Sequence, residues 1–114
     1  MSKDSPVITE VVHKLHDGGQ QYYLKEGDGT VATILVLPST DRDLDYEVKG
    51  LWINPEYRRM GFARSLINRV LRDFPSSRLA VFIRSDYGAL MLELGLHKTE
   101  TIDKWVSTDN AHAS

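Results

Sequence analysis

The stretch of sequence that decides the fold runs from residue 55 to residue 66 and reads Pro55-Glu56-Tyr57-Arg58-Arg59-Met60-Gly61-Phe62-Ala63-Arg64-Ser65-Leu66. Gly61 has no Cβ atom and Ala63 has only a methyl side chain, so a ligand can come close to the backbone at this turn. The first N–H groups of a helix that begins here lack intrahelical partners, and its dipole is positive at that end. The stretch therefore predicts an anion-binding turn that leads into a helix.

The segments on either side of this turn predict a strand and an amphipathic helix. Before it, residues 48–53 form an apolar run rich in β-forming side chains, closed by Asn54-Pro55. After it, apolar side chains recur at steps of three and four as far as Phe74, while polar side chains take the opposite side. Pro75 ends this pattern because proline cannot donate to the helix ladder. We predict a helix from Gly61 to Phe74.

The chain as a whole predicts one α/β (α+β) domain with a mixed, mostly antiparallel twisted sheet. A second helix, capped by Asp86 and ended before Gly95, precedes a last strand or pair of strands between Leu96 and Val106. The other predicted strands are Val7–Leu15, Gln20–Lys25, Thr30–Leu37, Tyr46–Ile53 and Leu79–Ile83. The helix between the last two makes a parallel strand-helix-strand crossover, whereas tight turns make hairpins antiparallel. Residues 1–106 form the domain, and residues 107–114 are predicted to be a flexible C-terminal tail.

Composition limits the classes of function. A hydrophobic fraction of 41% with 26% charged residues is ordinary for a globular protein. No apolar run reaches the length of a transmembrane helix, and the first residues lack the apolar core of a signal peptide, so we predict a cytoplasmic protein without membrane contact. With no cysteine, disulfides and a thiol nucleophile are excluded. The four histidines are not spaced with carboxylates as metal ligands are, so no metal is expected.

Positive charge is concentrated around the turn. The net charge is -2, yet residues 58–84 carry seven arginines against the single acid Asp73. A basic segment is also typical of nucleic-acid surfaces. The acidic flanks, the pI of about 6.0 and the lack of interleaved aromatic residues argue against a nucleic-acid partner. The simpler alternative is that Gly61 only connects a strand to a helix and that the arginines are solvated.

The residues from Arg58 to Ala63 also fit the pattern of a known family. The GCN5-related N-acetyltransferases (GNAT) carry an arginine or glutamine, two residues, a glycine, one residue, and then a glycine or alanine. This sequence resembles them there, and Ile53, Pro55 and Leu66 agree with the family's flanking positions. The resemblance implies acetyl-coenzyme A (acetyl-CoA) as a cosubstrate and N-acetylation of an amine. It implies that the coenzyme is bound by Leu51, Trp52, Ile53, Arg58, Arg59, Met60, Gly61, Phe62, Ala63 and Arg64.

The resemblance also implies a general base and a general acid. Glu47 occupies the position of the glutamate that, in the family, takes a proton from the acceptor ammonium. Strand alternation predicts that Glu47 shares a face with Leu51 and Ile53, beside the coenzyme groove; a solvent-facing carboxylate is the alternative. The family's usual tyrosine, which protonates the departing thiolate, is replaced by Met91. Tyr87, one helical turn earlier, or a water molecule is then the acid.

The first half of the chain departs from the family. Asp17-Gly18-Gly19 leaves room only for a tight turn, where the family usually has one or two helices that wall the acceptor site. The acceptor site is therefore either open or completed by a partner chain, as in a homodimer. Asp41, Asp43 and Asp45 would attract a cationic acceptor or form only a polar loop. The acceptor is a small-molecule amine or a protein lysine or N-terminus; the alternative function is a non-catalytic relative that binds the coenzyme or a protein partner.

Overall fold

A seven-stranded sheet carries two helices in the part of the chain that the structure describes. The structure, a computed structural model, describes residues 7–107. Two 3₁₀ turns, Pro55–Tyr57 and Ser85–Tyr87, each lie just before a helix. The elements are β1 Thr9–Lys14, β2 Gln20–Glu26, β3 Gly29–Pro38, β4 Tyr46–Ile53, α1 Phe62–Asp73, β5 Leu79–Phe82, α2 Gly88–Glu93, β6 His97–Lys98 and β7 Lys104–Val106. The strand order across the sheet is β1-β2-β3-β4-β5-β7-β6.

The predicted fold class is confirmed. β4 and β5 pair in parallel on either side of the α1 crossover, and every other strand pair is antiparallel. β1 and β2 are joined by a tight turn, in which Gly18 takes a φ of 92° and the Gly19 N–H donates to Asp17 at 3.0 Å. The last segment, predicted as one strand or a pair, forms a pair of short strands, β6 and β7. The first half of the chain thus contributes a meander without a helix.

Both helices pack on the same face of the sheet. Side chains that are paired across a ladder lie on the same face of the sheet. A series of such pairs runs from Tyr22 on β2 to Trp105 on β7. Tyr22 contacts α1 and Trp105 lies against Gly88 of α2, so both helices are on that face. The buried strand side chains of this face include Tyr22, Ile34, Val36, Val48, Val81 and Trp105. No helix in residues 7–107 covers the opposite face. We call that face the open face; among its residues are Leu35, Leu37, Glu47, Lys49, Trp52, Ala80, Phe82 and Lys104.

A β-bulge interrupts β4 at Gly50 and reverses its side-chain alternation. Between two of the ladder pairs, β4 carries one residue more than β3. Gly50 has a φ of 70° there, a left-handed conformation that glycine adopts without steric cost. The extra residue brings Ile53 onto the helix-covered face with Val48, and Leu51 also packs against the core, while Glu47 lies on the open face. The prediction that Glu47 shares a face with Leu51 and Ile53 is therefore wrong.

The second helix begins differently from the prediction and ends as predicted. Asp86 does not cap α2, because its carboxylate accepts hydrogen bonds from Arg84 Nε at 3.2 Å and Nη2 at 2.7 Å. A 3₁₀ turn containing Asp86 leads the chain into the helix, which has no side-chain cap. At the other end Gly95 has a φ of 86°. The Leu96 N–H donates to the Met91 carbonyl at 2.9 Å, as in a Schellman motif.

A polar cluster joins α1 to the first two strands. The buried Tyr22 hydroxyl donates to Asp73 at 2.8 Å and accepts from Gln20 Nε2 at 2.7 Å. Arg69 Nε donates to the same Asp73 at 2.9 Å, and the Arg69 guanidinium also pairs with Glu10 on β1. Burial, together with the Asp73 carboxylate, raises the pKa of the Tyr22 phenol. The cluster therefore fixes the C-terminal half of α1 over β1 and β2.

The first residue of the predicted tail, Ser107, is hydrogen-bonded to the interior strand β5. The Ser107 N–H donates to the Leu79 carbonyl at 2.9 Å, and the Leu79 N–H donates to Ser107 Oγ at 2.9 Å. Ser107 thus extends the contact between the last strand and β5. The other residues of the predicted tail, 108–114, lie outside the described residues.

We expect Tyr22→Phe to lower the free energy of unfolding by about 1–2 kcal/mol, because it removes a buried hydrogen bond to a carboxylate. The matched control is Tyr23→Phe, since the Tyr23 hydroxyl makes no hydrogen bond within residues 7–107 and its loss should stay within about 0.5 kcal/mol. Urea denaturation of the three proteins measures both changes. Equal losses in the two variants would show that the Tyr22 hydroxyl does not stabilise the α1 contact.

Candidate functional site

A cleft opens where β4 and β5 part. The two strands pair only as far as Val48 and Val81, and beyond that point they diverge. The cavity between them has a volume of about 730 Å³, a size that holds small-molecule ligands. Its walls come from the end of β4, the start of α1, the end of β5 and the segment that leads into α2. They are formed by Gly50, Leu51, Trp52, Ile53, Tyr57, Arg58, Arg59, Gly61, Phe62, Ala63, Arg64, Phe82, Ile83, Arg84, Asp86, Tyr87 and Leu90.

The turn before α1 has a backbone conformation that places helix donors at the cleft. Asn54 begins a 3₁₀ turn, and its side chain accepts a 3.0 Å hydrogen bond from the Glu56 N–H. Arg59 and Gly61 then take positive φ values of 67° and 84°. Gly61 is the N-cap residue of α1 and has no side chain to bond the N–H groups of the first turn. Because the first turn also contains no acidic residue, these donors and the positive dipole end are available to an anion.

The arginines of the cleft fall into two groups. Arg64 and Arg84 are neutralised by neighbouring carboxylates, Glu93 at 2.8 Å and Asp86 at 2.7 Å. Hydrogen bonds from these arginines lower the pKa of both carboxyl groups. Arg58 and Arg59, in contrast, make no ion pair within residues 7–107. The uncompensated positive charge of the turn is therefore next to the free N–H groups of α1.

Tyr57 ties the cleft to the β2–β3 hairpin. Its hydroxyl donates to the carboxylate of Glu26, and that hydrogen bond raises the pKa of the phenol. Its ring lies 6.2 Å from the ring of Phe62 at the start of α1. The hydroxyl is directed to a strand carboxylate, so Tyr57 supports the turn and does not offer a proton to the cleft.

The cleft brings together the predicted coenzyme-binding residues, with one exception. Met60 is not part of the wall, and its side chain is 55% exposed. The predicted residues that do line the cleft are Leu51, Trp52, Ile53, Arg58, Arg59, Gly61, Phe62, Ala63 and Arg64. The strand end and the helix start are adjacent in sequence, which explains why a local pattern could identify them together.

The two predicted catalytic residues occupy different positions relative to the cleft. Tyr87 lines it, whereas Met91, at the family's usual tyrosine position, is fully buried in the core. Glu47 does not line it and instead lies on the open face, with its carboxylate 2.9 Å from Lys49 Nζ. Ser39 Oγ donates to the same carboxylate at 3.4 Å. Of the pair, only Tyr87 is in the cleft wall.

Several cleft residues were missed by sequence reasoning. Phe82, Ile83, Arg84 and Asp86 follow the last residues of β5 that pair with β4. Their signal was indirect. The carboxyl ends of parallel strands lie at the same edge of a sheet. The residues that follow the predicted strand at 79–83 must therefore lie close to those that follow β4.

Two other kinds of site find no support in residues 7–107. No group of three or more histidine or acidic side chains lies close enough together to hold a metal ion. No helix there is both long and apolar enough to cross a bilayer.

Comparison with known proteins adds a family and a fold. The sequence model of the acetyltransferase (GNAT) family matches residues 3–89. Among curated proteins, none matches the sequence significantly.

The fold is similar to those of three solved structures. An acetyltransferase of the GNAT family from Staphylococcus aureus Mu50 superposes with a TM-score of 0.62 at 13% identity, over 82% of this chain and 68% of that chain. Escherichia coli ElaA has a TM-score of 0.66 at 13% identity, over 81% and 68%. An acyl-CoA N-acyltransferase from Pseudomonas aeruginosa has a TM-score of 0.64 at 10% identity, over 80% and 69%. At such low identities these similarities show the fold alone.

The left-handed conformation at Arg59 makes a prediction about stability. There Arg59→Gly should be more stable than Arg59→Ala by about 1 kcal/mol, because a Cβ atom makes a positive φ sterically unfavourable and glycine has no Cβ atom. The extended residue Arg58, with φ -70° and ψ 152°, is the control, and at that position alanine should be at least as stable as glycine. Denaturant titration of the four variants measures their free energies of unfolding and so gives the order of stability at each position. The same order at both positions would contradict the turn conformation.

Proposed function

The chain belongs to the GNAT acetyltransferase family, and we propose that it transfers the acetyl group of acetyl-CoA to an amine. In this reaction the amine nitrogen forms a bond to the thioester carbonyl carbon, and the carbon–sulfur bond breaks. The amine loses a proton, and the departing thiolate takes one up. The products are an N-acetylated amine and the free thiol of the coenzyme.

The observation that carries the proposal is the positive, donor-rich turn that forms part of the cleft wall. Arg58 and Arg59 lack anionic partners within residues 7–107, and Gly61 leaves the first N–H groups of α1 uncapped. Phosphate groups are the ligands that such a helix start favours. A Cβ atom at Gly61 would meet no protein atom within 4 Å, so this side of the turn is open to a ligand.

The rest of the cleft suits the remainder of a coenzyme A thioester. Leu51, Ile53, Phe62 and Leu90 supply apolar walls along a space of about 730 Å³. Past Val48 the backbone of β4 no longer pairs with β5, so its polar groups on that edge have no ladder partner from β5. An unpaired strand N–H is a suitable donor to the thioester carbonyl oxygen, where negative charge develops during attack. Bound acetyl-CoA would supply the activated acyl group.

Glu47 and Tyr87 are our candidates for moving the two protons. Glu47 is on the open face, the side from which an acceptor can approach without meeting a helix. Its carboxylate lies 2.9 Å from the Lys49 ammonium, and a carboxylate is one of the side-chain groups that serve as a general base. Because Glu47 is not in the cleft wall, the proton would travel to it through a water molecule. Tyr87, in the wall, is within the site where the thiolate would form.

A non-catalytic coenzyme-binding protein of the same fold is the second candidate. One observation favours it: the position at which the family usually carries its tyrosine is Met91, which is fully buried and contributes no proton donor. In that case the cleft would bind coenzyme A and its thioesters without turnover, and the open face would contact a partner.

Coenzyme binding is tested by thermal unfolding with acetyl-CoA. A ligand at about 100 times its dissociation constant stabilises the folded state by about 2.7 kcal/mol, which corresponds to a rise in melting temperature of about 10 °C. Gly61→Ala should weaken binding roughly tenfold or more, because a methyl group would keep a phosphate from charge-assisted hydrogen bonds with the backbone. Gly27→Ala is the matched control, since Gly27 also has a positive φ, of 61°, and open space around its Cβ position, but lies outside the cleft.

The two glycine variants should lose similar stability without ligand, and only Gly61→Ala should lose the shift. No shift in the parent at millimolar acetyl-CoA would refute coenzyme binding. Equal shifts in both variants would mean that the phosphates bind elsewhere.

Turnover is tested with Glu47→Gln, which keeps the shape of the side chain and removes its basicity. We expect the rate constant to fall by about 10²-fold to 10⁴-fold, the usual effect of losing a general base, with coenzyme affinity nearly unchanged. Glu100→Gln, at an exposed carboxylate without an ion pair in residues 7–107, is the control and should retain the parent rate. The turnover rates of Glu47→Gln and Glu100→Gln are measured by thiol release with an acceptor that the parent acetylates.

Equal turnover by Glu47→Gln and the parent, where chemistry limits the rate, would remove Glu47 from the mechanism. Positioning of an already neutral amine would then be the better account.

A further inference from the structure

The strand β1 is the longer of the two edge strands of the sheet. It has six residues, Thr9–Lys14, which pair with β2 without a shift in register, and it contains neither a proline nor a bulge. The strand at the opposite edge, β6, has only two residues, His97–Lys98. Short strands, prolines and bulges keep sheet edges from pairing with other chains. Of the two edges in residues 7–107, only that of β1 lacks all three features.

The hydrogen bonds of the β1–β2 hairpin decide which backbone groups of β1 are used inside the sheet. The Leu15 N–H donates to the Gly19 carbonyl at 2.9 Å, so the ladder between the two strands begins with a hydrogen-bonded position at residue 15. Hydrogen-bonded and non-hydrogen-bonded pairs alternate along an antiparallel ladder. Val11 and His13 therefore direct their N–H and C=O groups toward β2.

The outward backbone groups of β1 belong to Glu10, Val12 and Lys14. No strand in residues 7–107 pairs with this side of β1. Val12 is the ladder partner of Tyr22, and side chains two residues apart share a face, so all three side chains lie on the helix-covered face. A strand added at this edge would meet an acid, an apolar side chain and a base at alternate positions.

This order of side chains is complementary to itself when the strand direction is reversed. A two-fold axis that passes through Val12, perpendicular to the sheet, sets Val12 opposite the partner's Val12 and Glu10 opposite the partner's Lys14. Each hydrogen-bonded pair of an antiparallel ladder makes two backbone hydrogen bonds, so all the outward groups of these residues find partners. The symmetry makes the pair of opposite charges occur twice, and such pairs stabilise a ladder.

Other registers of the two edges are less favourable. An axis at residue 10 sets Glu10 opposite the partner's Glu10, and an axis at residue 14 sets Lys14 opposite the partner's Lys14. Like charges directly opposite each other are destabilising. An axis at residue 11 or 13 sets Val12 opposite a charged side chain. The axis at Val12 is the one that matches both charge and hydrogen bonding.

The charges next to this edge are balanced, so they do not repel a second copy. One carboxylate oxygen of Glu10 pairs with Arg69, which also binds Asp73. Lys14, which makes no ion pair within residues 7–107, completes a group of two acids and two bases. The Glu10 side chain is still 47% exposed, and its second oxygen is available to the partner's Lys14.

We propose that a second copy of this chain pairs with β1 in this register, so that the two sheets join into one continuous sheet. The interface is separate from the proposed acetyl-transfer site, because β1 is three strands from β4, about 14 Å across the sheet. The partner extends the sheet and leaves the open face beside the cleft uncovered. An edge of six residues buries less area than a standard interface, so the dimer is reversible and forms as the protein concentration rises.

Sedimentation equilibrium over a series of protein concentrations tests the dimer. The mass should rise from the monomer value of 12.9 kDa toward twice that value as the concentration approaches the millimolar range. Lys14→Glu should raise the dissociation constant about tenfold or more, because two attractive pairs become repulsive. Lys98→Glu, which makes the same charge change on the opposite edge strand, is the control and should dimerise like the parent.

Mixing two charge-reversed variants tests the register. In Lys14→Glu alone two glutamates face each other in each pair, and in Glu10→Lys alone two lysines do, so neither variant should dimerise. An equimolar mixture should form a heterodimer, because each charge at position 10 then faces an opposite charge at position 14. Since Glu10→Lys also loses its contact with Arg69, its cooperative unfolding is verified first.

Hydrogen exchange of the parent examines the interface without any substitution. The amides of Glu10, Val12 and Lys14 should exchange more slowly as the protein concentration rises, because they become bonded to the partner. The amides of Val11 and His13 already bond to β2, so their exchange should not depend on concentration.

Each result decides for or against the dimer. A mass that stays at the monomer value up to millimolar concentration overturns it, and so does equal dimerisation of Lys14→Glu, Lys98→Glu and the parent. A mixture of the two reversed variants that stays monomeric, or concentration-dependent protection confined to residues outside β1, overturns the register. Acetyl-CoA should raise the melting temperature of Lys14→Glu as much as that of the parent, so failure of the dimer and failure of coenzyme binding are distinguishable.

Discussion

The parting of β4 from β5 is the constraint on which the rest of the structure depends. Two parallel neighbours require a crossover, and α1 supplies it, so the helix has to begin beside the end of β4. The bulge at Gly50 increases the local twist of β4 just where its pairing with β5 stops. Three features consequently meet where the two strands part: a cleft with both polar and apolar walls, a stretch of β4 that does not pair with β5, and the positive end of a helix.

A sheet with helices on one face makes the two sides of this protein chemically different. The covered face is largely apolar at its centre, and the polar cluster around Tyr22 joins it to the end of α1. The open face carries aliphatic, aromatic and charged side chains, as in sheets with one face in water. The apolar stems of the long side chains cover their neighbours on this face. Ala80 is fully buried there without any helix, because it is small and has longer neighbours. Coenzyme and acceptor would therefore reach the cleft through surfaces of different character.

The distribution of charge matters more to this site than the net charge of -2. Ion pairs neutralise Arg64, Arg84, Lys49 and Arg78, whereas Arg58 and Arg59 of the turn before α1 make no ion pair within residues 7–107. Both line the cleft. The acidic loop is at the far end of β4. The protein thus presents a positive field at the site although its overall charge is negative.

The sequence by itself determined the elements, the mixed sheet and most of the cleft wall, because these depend on local patterns. β4 has the predicted bounds Tyr46–Ile53, and α1 differs from the prediction by one residue at each end. The turn from Arg58 to Ala63, apart from Met60, lines the cleft. Each depends on periodicity, glycine and proline within a short stretch of chain. Gly50 lies inside an apolar strand pattern, and a glycine at such a position indicates a β-bulge. A simple alternation of faces does not predict that bulge.

Only the tertiary structure decided what depends on neighbours far apart in the sequence. The bulge placed Glu47 on the open face, Arg84 took the carboxylate of Asp86 away from the helix cap, and Met91 was turned into the core. Lys104 came to lie beside Phe82 because a late strand pairs with β5 across the sheet. Local propensity fixes which elements form and roughly where they begin. Which side chains meet, and which charges remain unpaired, is set by ladder register and packing, because these contacts are made in space between segments that no local pattern connects.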